Sequence, residues 1–529
     1  MEYDYDYIVI GSGFGGSVAA LRLAEKGYRV AILECGRRFE DNQFAKTTGD
    51  ARRYYWAPFL GLRGIMRMTL FKDIFIVSGC GVGGGSLGYA NTLYRALPPF
   101  YENSQWAGLA DWEQELAPHY DEAERMLGVA QYDRDGAADL LLKEFAATLG
   151  VEESYVRTPV GVFLGEPGKT VPDPYFGGEG PERTGCLRCG GCMVGCRYGA
   201  KNTLRKNYLW FAEKLGVEIL DSRTVSDIEP IGAEDGSGGY VITHHRSGAI
   251  LRRSSKRLKT RGVVVAAGAL GTNRLLQRCK VNGSLPRLSD RLGYTVRTNS
   301  ESIVFATAPD TSTIDFTDSV AITSSIHTDA ATHIEVVTYG AGGDSQGLLR
   351  GLLVERGGRG TRPLFWLMAL LRHPRKFLGV FKVKGGSRRT IILLVMQTLD
   401  NSIRLKVRRR LPGGAVTLTT EQDPLNPNPD KIPVAYQCAR WFAEKLGGEP
   451  YQGFSESMFA IPVTAHILGG AVIGASPERG VVDSQNRVFG YENMLVTDGS
   501  ALPANVGANP SLTITAVAER AMTFIPAKE

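Results

Sequence analysis

At 529 residues the chain exceeds what one ordinary core organises, so two domains are expected. With 43% apolar and 22% charged residues it reads as globular, and it has no short-period repeat or disordered tract. The net charge of +6 is uneven: residues 346–410 hold sixteen Lys/Arg against Glu355 and Asp400, so the rest of the chain is acidic, and eight cysteines are too few for a disulfide scaffold.

The opening MEYDYDYIVIG has no basic n-region or apolar h-region, which predicts a cytoplasmic protein with reduced thiols. Residues 7–10 (YIVI) predict a strand. Gly11-Ser-Gly-Phe-Gly-Gly16, a helical pattern, the apolar run RVAIL and Glu34 follow. This is strand, G-x-G-x-x-G, helix, strand, acid. Gly11 serves the tight turn, Gly13 the close approach of a pyrophosphate and Gly16 helix–strand packing. Glu34 stands where a carboxylate bonds a ribose hydroxyl. The pattern predicts dinucleotide binding.

A second glycine-rich loop, SGCGVGGGSL, covers residues 78–87 and leads to Asn91. It can pass close to a flat ring and offer backbone N–H groups. The alternative is a lid loop.

Next comes CLRCGGCMVGC, in which Cys186, Cys189, Cys192 and Cys196 show the C-x2-C-x2-C-x3-C spacing of bacterial ferredoxins. Arg197 replaces the Pro that follows such runs. The readings are an iron–sulfur cluster, a structural zinc, or free thiols. A cluster would pass electrons singly to an acceptor protein or quinone.

In THIEVVTYG, Glu335 lies on an alternating strand pattern, where a carboxylate among apolar neighbours can act as a base. Residues 362–384 mix aromatics, leucines and cations. Their unbroken apolar stretch is far short of the ~20 residues a membrane span needs. They suit an interfacial helix on anionic lipid, or a lid over a cavity, better than a nucleic-acid surface.

His466 stands between an apolar run and Gly469-Gly470. Residues 494–497 predict a strand with Asp498 and Gly499 at its carboxyl end, where ligands of open α/β sheets bind. Asn509 reads as an N-cap and Pro510 as the first residue of a helix running to about Phe524. That helix N-terminus would stabilise an acceptor that gains negative charge, as a flavin does.

Together these segments resemble the glucose–methanol–choline (GMC) flavoprotein oxidoreductases, nearest their cholesterol-oxidase branch. Five motifs carry the likeness in order: G-x-G-x-x-G with Glu34, GVGGGSLGYAN, VVVAAGALGTNRLL, HILGG and TDGSALPANVGANPSLTITAVAER.

The resemblance implies an α/β fold. A Rossmann-type FAD domain would be assembled from residues 1–96, 185–290 and 455–529. An α+β substrate domain with an antiparallel sheet would take 97–184 and 291–454, with a basic amphipathic insertion at about 346–410. It implies FAD contacts at Gly11, Gly13, Gly16, Glu34, Gly83, Gly84, Ser86, Asn91, the Val225 backbone, Asp498, Gly499 and Pro510. His466, Asn509 and Glu335 would be catalytic. No His lies at 78–92, so the FAD should be non-covalent.

The implied reaction is oxidation of a hydrophobic alcohol, sterol-like or long-chain, by hydride transfer to the flavin. The alternatives are a FAD-dependent lyase, isomerase or photodecarboxylase acting on a lipid, and a non-catalytic lipid-binding or electron-transfer flavoprotein.

Overall fold

The structure, a computed structural model, describes residues 2–249, 254–409 and 416–529. Arg410, the last cation of the basic segment, lies outside these.

Two sheets organise the molecule. The first contains β1 (Tyr5–Ile10), β2 (Val30–Leu33), β3 (Glu218–Leu220), β4 (Arg223–Pro230), β5 (Tyr240–Arg246), β6 (Lys256–Val265) and β12 (Met494–Val496). Strands β3-β2-β1-β6-β12 run parallel, with Ile8 opposite Val263 and Val264 opposite Leu495. The β4–β5 hairpin extends the first half of β6 in antiparallel pairing. Parallel strands are covered on both faces, which is why YIVI and VAIL read as continuous apolar runs and not as alternating ones. Helices α1 (Phe14–Glu25) and α8 (Ser511–Thr523) pack together, joined by Arg22 Nε to Glu519 at 2.7 Å.

The second sheet is wholly antiparallel. Its order is Arg350–Leu352, β11 (Glu449–Gly453), β7 (Ser302–Thr307), β10 (Thr390–Gln397), β9 (Thr332–Val337), β8 (Ile322–Asp329) and Val156–Arg157. Successive strand residues point to opposite faces. Val304, Ile334 and Ile391 therefore meet α2 (Ala137–Leu149) and α6 (Pro433–Lys445) in one core, while Ile303, Val337 and Ile392 face a cavity toward the first sheet.

The basic segment is partly built into this sheet. It contributes Arg350–Leu352 and β10 to the sheet, and two of its cations are interior. Arg350 donates to Gly347 O at 3.1 Å and Arg362 to the Val354 carbonyl, so both charges are held by backbone acceptors. The exposed part is α4 (Arg362–Arg372) and α5 (Pro374–Val380), where Leu364, Leu367 and Leu371 share one outward face. Among the described residues no helix is long and apolar enough to cross a membrane.

Candidate active site

The first glycine loop is shaped by contact. Gly11 has φ +103°, and a Cβ there would lie 2.3 Å from Ala266 O. One at Gly16 would lie 2.1 Å from Gly11 O. A Cβ on Gly13 would meet nothing within 4 Å, so this backbone faces open space, as an approaching pyrophosphate requires.

Both ends of the chain converge on this turn. Glu34 Oε2 accepts from Ser12 N at 3.0 Å and Ser12 Oγ at 2.7 Å, and its Oε1 accepts from Gly36 N at 2.7 Å. Thr497 Oγ1 donates to Gly15 O at 3.3 Å.

Asp498 lies two residues beyond β12 and borders the large cavity. Its carboxylate accepts from Gly268 N at 2.8 Å and from Thr272 Oγ1, and from Ser500 N at 2.8 Å. It thereby anchors the start of α3 (Gly268–Asn282), and Gly499 is left with its backbone on the cavity. Burial raises the Asp498 pKa against the pull of these donors.

In the second loop Gly83 N donates to Ser12 Oγ at 3.0 Å, and a Cβ on Gly84 would press 2.6 Å from Gly13 Cα. Ser86 braces the loop, donating to Gly83 O at 2.7 Å and accepting from Leu204 N at 3.1 Å. Asn91 is wholly buried with φ +59°, and neither of its side-chain amide atoms has a partner. Val225 lies at a bulge in β4 just beyond the Glu34 turn.

Cys80, in the second loop, lies beside a second thiol. Its Sγ lies 3.5 Å from Cys35 Sγ, and Arg67 Nη2 is 3.4 Å from each. Glu34, Cys35 and Cys80 form the one three-ligand group among the described residues whose donor atoms lie within 4.8 Å of one another. The guanidinium in their midst opposes a bound cation there.

A cavity of about 590 Å³ separates the two sheets. Gly13, Gly268, Gly499, Pro510 and Ser511 line one side, and Ile303, Phe305, Val337, Ile392 and Leu394 the other. The N-terminus of α8 opens onto it, with Pro510 in the cap position. Asn509 makes no capping bond. Its Nδ2 instead lies 3.4 Å from His466 Nε2 and 3.4 Å from Glu335 Oε2.

His466 Nδ1 is 2.6 Å from Glu301 Oε1. Glu301 also accepts from Thr464 Oγ1 at 2.9 Å and from Ala465 N at 3.0 Å. An acceptor-only carboxylate makes Nδ1 the protonated nitrogen and leaves the Nε2 lone pair toward the cavity. Burial alone would lower the imidazole pKa, but the charge and hydrogen bond of Glu301, with Glu335 adding, raise it overall.

His333, also buried, has Nε2 3.4 Å from Glu335 Oε1. His333 and Glu301 were not singled out in the sequence, although strand alternation places Glu335 and His333 on the cavity face of β9. The orphaned polar atoms (the Asn91 amide and Asn509 Oδ1) and the open backbone at Gly13 fit a large polar cofactor.

The four loop cysteines line a separate cavity of about 220 Å³. Cys186 and Cys192 are buried, Cys189 is exposed and Cys196 half-buried.

The description "FAD dependent oxidoreductase" matches residues 6–343, and "GMC oxidoreductase" matches residues 449–518. The chain is 49% identical to a cholesterol oxidase of Mycobacterium tuberculosis, over 100% of this chain and 92% of the relative. It is 46% identical to one from Acinetobacter baumannii, over 100% and 95%. The chain belongs to the GMC family of FAD-dependent oxidoreductases. Its fold matches pyridoxine 4-oxidase from Mesorbium loti with a TM-score of 0.64 at 15% identity, covering 98% of this chain and 99% of that one. As a GMC oxidoreductase it brings together His466, Asn509 and Glu335, which the sequence separates by up to 174 positions.

Proposed function

We propose that this oxidoreductase converts the hydroxyl of a sterol-like or long-chain alcohol to a ketone or aldehyde. One observation carries the reading: the His466 Nε2 lone pair and the Asn509 amide meet in a cavity whose opposite wall is Ile303, Phe305, Val337, Ile392 and Leu394. A hydrophobic alcohol fits that division, and the cholesterol oxidases among its relatives support a sterol.

FAD would be held by the 11–16 turn, the 83–91 loop, Val225, the Asp498–Gly499 turn and the α8 N-terminus at Pro510. Bound there, it supplies the hydride acceptor. The substrate hydroxyl donates to His466 Nε2, and the imidazole takes the proton as hydride leaves the same carbon. Glu301 fixes the ring and stabilises the imidazolium, a role that needs a buried, acceptor-only partner on Nδ1. Asn509 donates to the alcohol oxygen, and Glu335, touching Asn509, holds that amide and offers a second base.

The α4–α5 face extends this reading to a membrane surface. Leu364, Leu371 and Leu378 are 60%, 73% and 63% exposed, with Arg372, Arg375 and Lys376 between them. Helix α4 packs on α7 (Phe454–Phe459), whose end residues line the cavity. A face of leucines edged by cations suits anionic lipid at the inner side of the cell membrane, from which a lipid-soluble alcohol can pass to the cavity. We also infer that electrons leave toward an acceptor protein through the 186–196 loop.

Anaerobic titration with cholesterol and with a long-chain alcohol tests the reading. Stoichiometric bleaching of the flavin is expected with one of them. Conversion of a lipid with the flavin staying oxidised would place the reaction with the lyases or isomerases instead.

A further inference from the structure

We propose that Cys186, Cys189, Cys192 and Cys196 hold one four-iron iron–sulfur cluster, placed to carry electrons away from the flavin. The inference deepens the functional reading above and rests on it.

The backbone makes one site of the four thiols. In a two-cluster ferredoxin the fourth cysteine of such a run serves the other cluster. Here Arg188, Gly190 and Gly195 have φ of +52°, +63° and +101°. These three left-handed turns within eight residues fold the run back on itself, and all four cysteines line the same cavity. Neither left-handed glycine can be replaced freely. A Cβ on Gly190 would lie 2.4 Å from Gly340 N, and one on Gly195 would lie 2.4 Å from the Phe44 ring.

The chemistry of the wall is selective. Besides the thiols it is lined by glycines, alanines, aliphatic groups, Tyr198, Ser319 and the cations Lys46, Arg197 and Lys201, and it has no Asp, Glu or His among its lining residues. That set suits soft metal–thiolate bonding and not a hard cation. Zinc bonds at about 2.3 Å would draw four sulfurs to roughly 4 Å from one another. The four cysteines form no such group within 4.8 Å, a wider spacing than a single zinc imposes. Backbone N–H groups also point at the sulfurs. Arg188 N donates to Cys186 Sγ at 3.3 Å, and Gly191 and Ala321 donate to Cys189 and Cys192. Such bonds tune the potential of thiolate-ligated clusters.

The position gives the cluster its purpose. Cys192 and Val194 face the cysteine cavity, while Met193 between them faces the large one. Lys201, buried, donates from one ammonium to Cys192 O at 2.9 Å, Tyr89 O at 2.7 Å and Leu87 O at 3.1 Å. The cysteine loop and the flavin loop are therefore tied through a single side chain. On the outer side Cys189 reaches the surface. Oxidation of each alcohol releases two protons and two electrons. The protons pass to solvent, and the cluster takes the electrons one at a time from the reduced cofactor and gives each to a one-electron carrier protein docked at Cys189.

The test is iron and acid-labile sulfide per FAD in the full chain, purified anaerobically and reconstituted with ferrous iron and sulfide. About four of each are expected. A paramagnetic signal should appear on reduction with dithionite and again on anaerobic addition of cholesterol. Cys189→Ser, at an exposed position, should lose most of the iron while keeping its FAD. Cys192→Ser should do the same, and Cys438→Ala, in the core of the second sheet, should not. FAD-replete protein that retains no iron, that holds one zinc per chain, or whose iron is unchanged in both serine variants overturns the cluster and leaves the alcohol oxidation intact. Failure of cholesterol or any long-chain alcohol to bleach the flavin while iron is present overturns the other reading instead.

Discussion

Glu301 Oε1 and His466 Nδ1 lie 2.6 Å apart, and this contact decides which imidazole nitrogen faces the substrate. The carboxylate is itself fixed by Thr464 and Ala465, so ring and anchor belong to one rigid corner.

Replacing Glu301 by Gln should lower kcat about 100-fold with FAD content unchanged, the cost usual for losing a partner that orients a functional imidazole. The pH profile should move too. In the native enzyme His466 is shifted upward, so kcat/KM should rise with pH through that raised pKa. Without the carboxylate the pKa falls, and the rising limb should move to lower pH on a lower plateau.

His466→Ala should cut the rate of anaerobic flavin reduction by about 10²–10⁴-fold, since it removes the group placed to take the proton. Glu335→Gln keeps the contact with Asn509 but removes the charge. A smaller loss, of about tenfold, is expected, with His466 titrating lower because Glu335 contributes to its upward shift. Stopped-flow reduction at several pH values measures both.

Glu456 ties stability to pH. It is buried, accepts from Ser302 Oγ at 2.8 Å, and is raised by burial from 4.5 to about 7. An acid with a raised folded pKa binds its proton more tightly when folded, so its contribution is full below pH 4.5 and is lost as pH rises to about 7. Glu456→Gln should flatten that decline. Melting temperatures between pH 4.5 and 8 read it directly.

Leu367→Asp with Leu371→Asp should abolish sedimentation with phosphatidylserine vesicles, because each buried leucine contributes about 1.5–3 kcal/mol. Turnover of a detergent-dispersed sterol should be unaffected. Binding of the native chain should also weaken with salt, through screening of Arg372, Arg375 and Lys376.

The parts of this site that were legible in the sequence are those encoded over short spans. The glycine turn, the acid after β2, the Asn509-Pro510 pair ahead of a helix, and His466 before two glycines each carry their geometry in neighbouring residues. Glu301 does not. It becomes the partner of His466 only because β7 begins beside the 463–466 segment, across 165 positions. His333 and the placement of Arg350 and Arg362 are of the same kind, set by strand order and by which face a residue takes. Asn509 shows the limit from the other side. Its position was readable, but its amide turns to His466 and Glu335 instead of capping α8.

Strand β12 adds to β6 at the far end of the chain from β1, and α8 then lies across α1 with Glu519 meeting Arg22. The half of the sheet made first therefore stays one strand short until residues 494–496 join it. Cofactor capture should therefore depend on this C-terminal segment, and removal of residues 494–529 should yield an apoprotein even though every residue of the glycine turn remains.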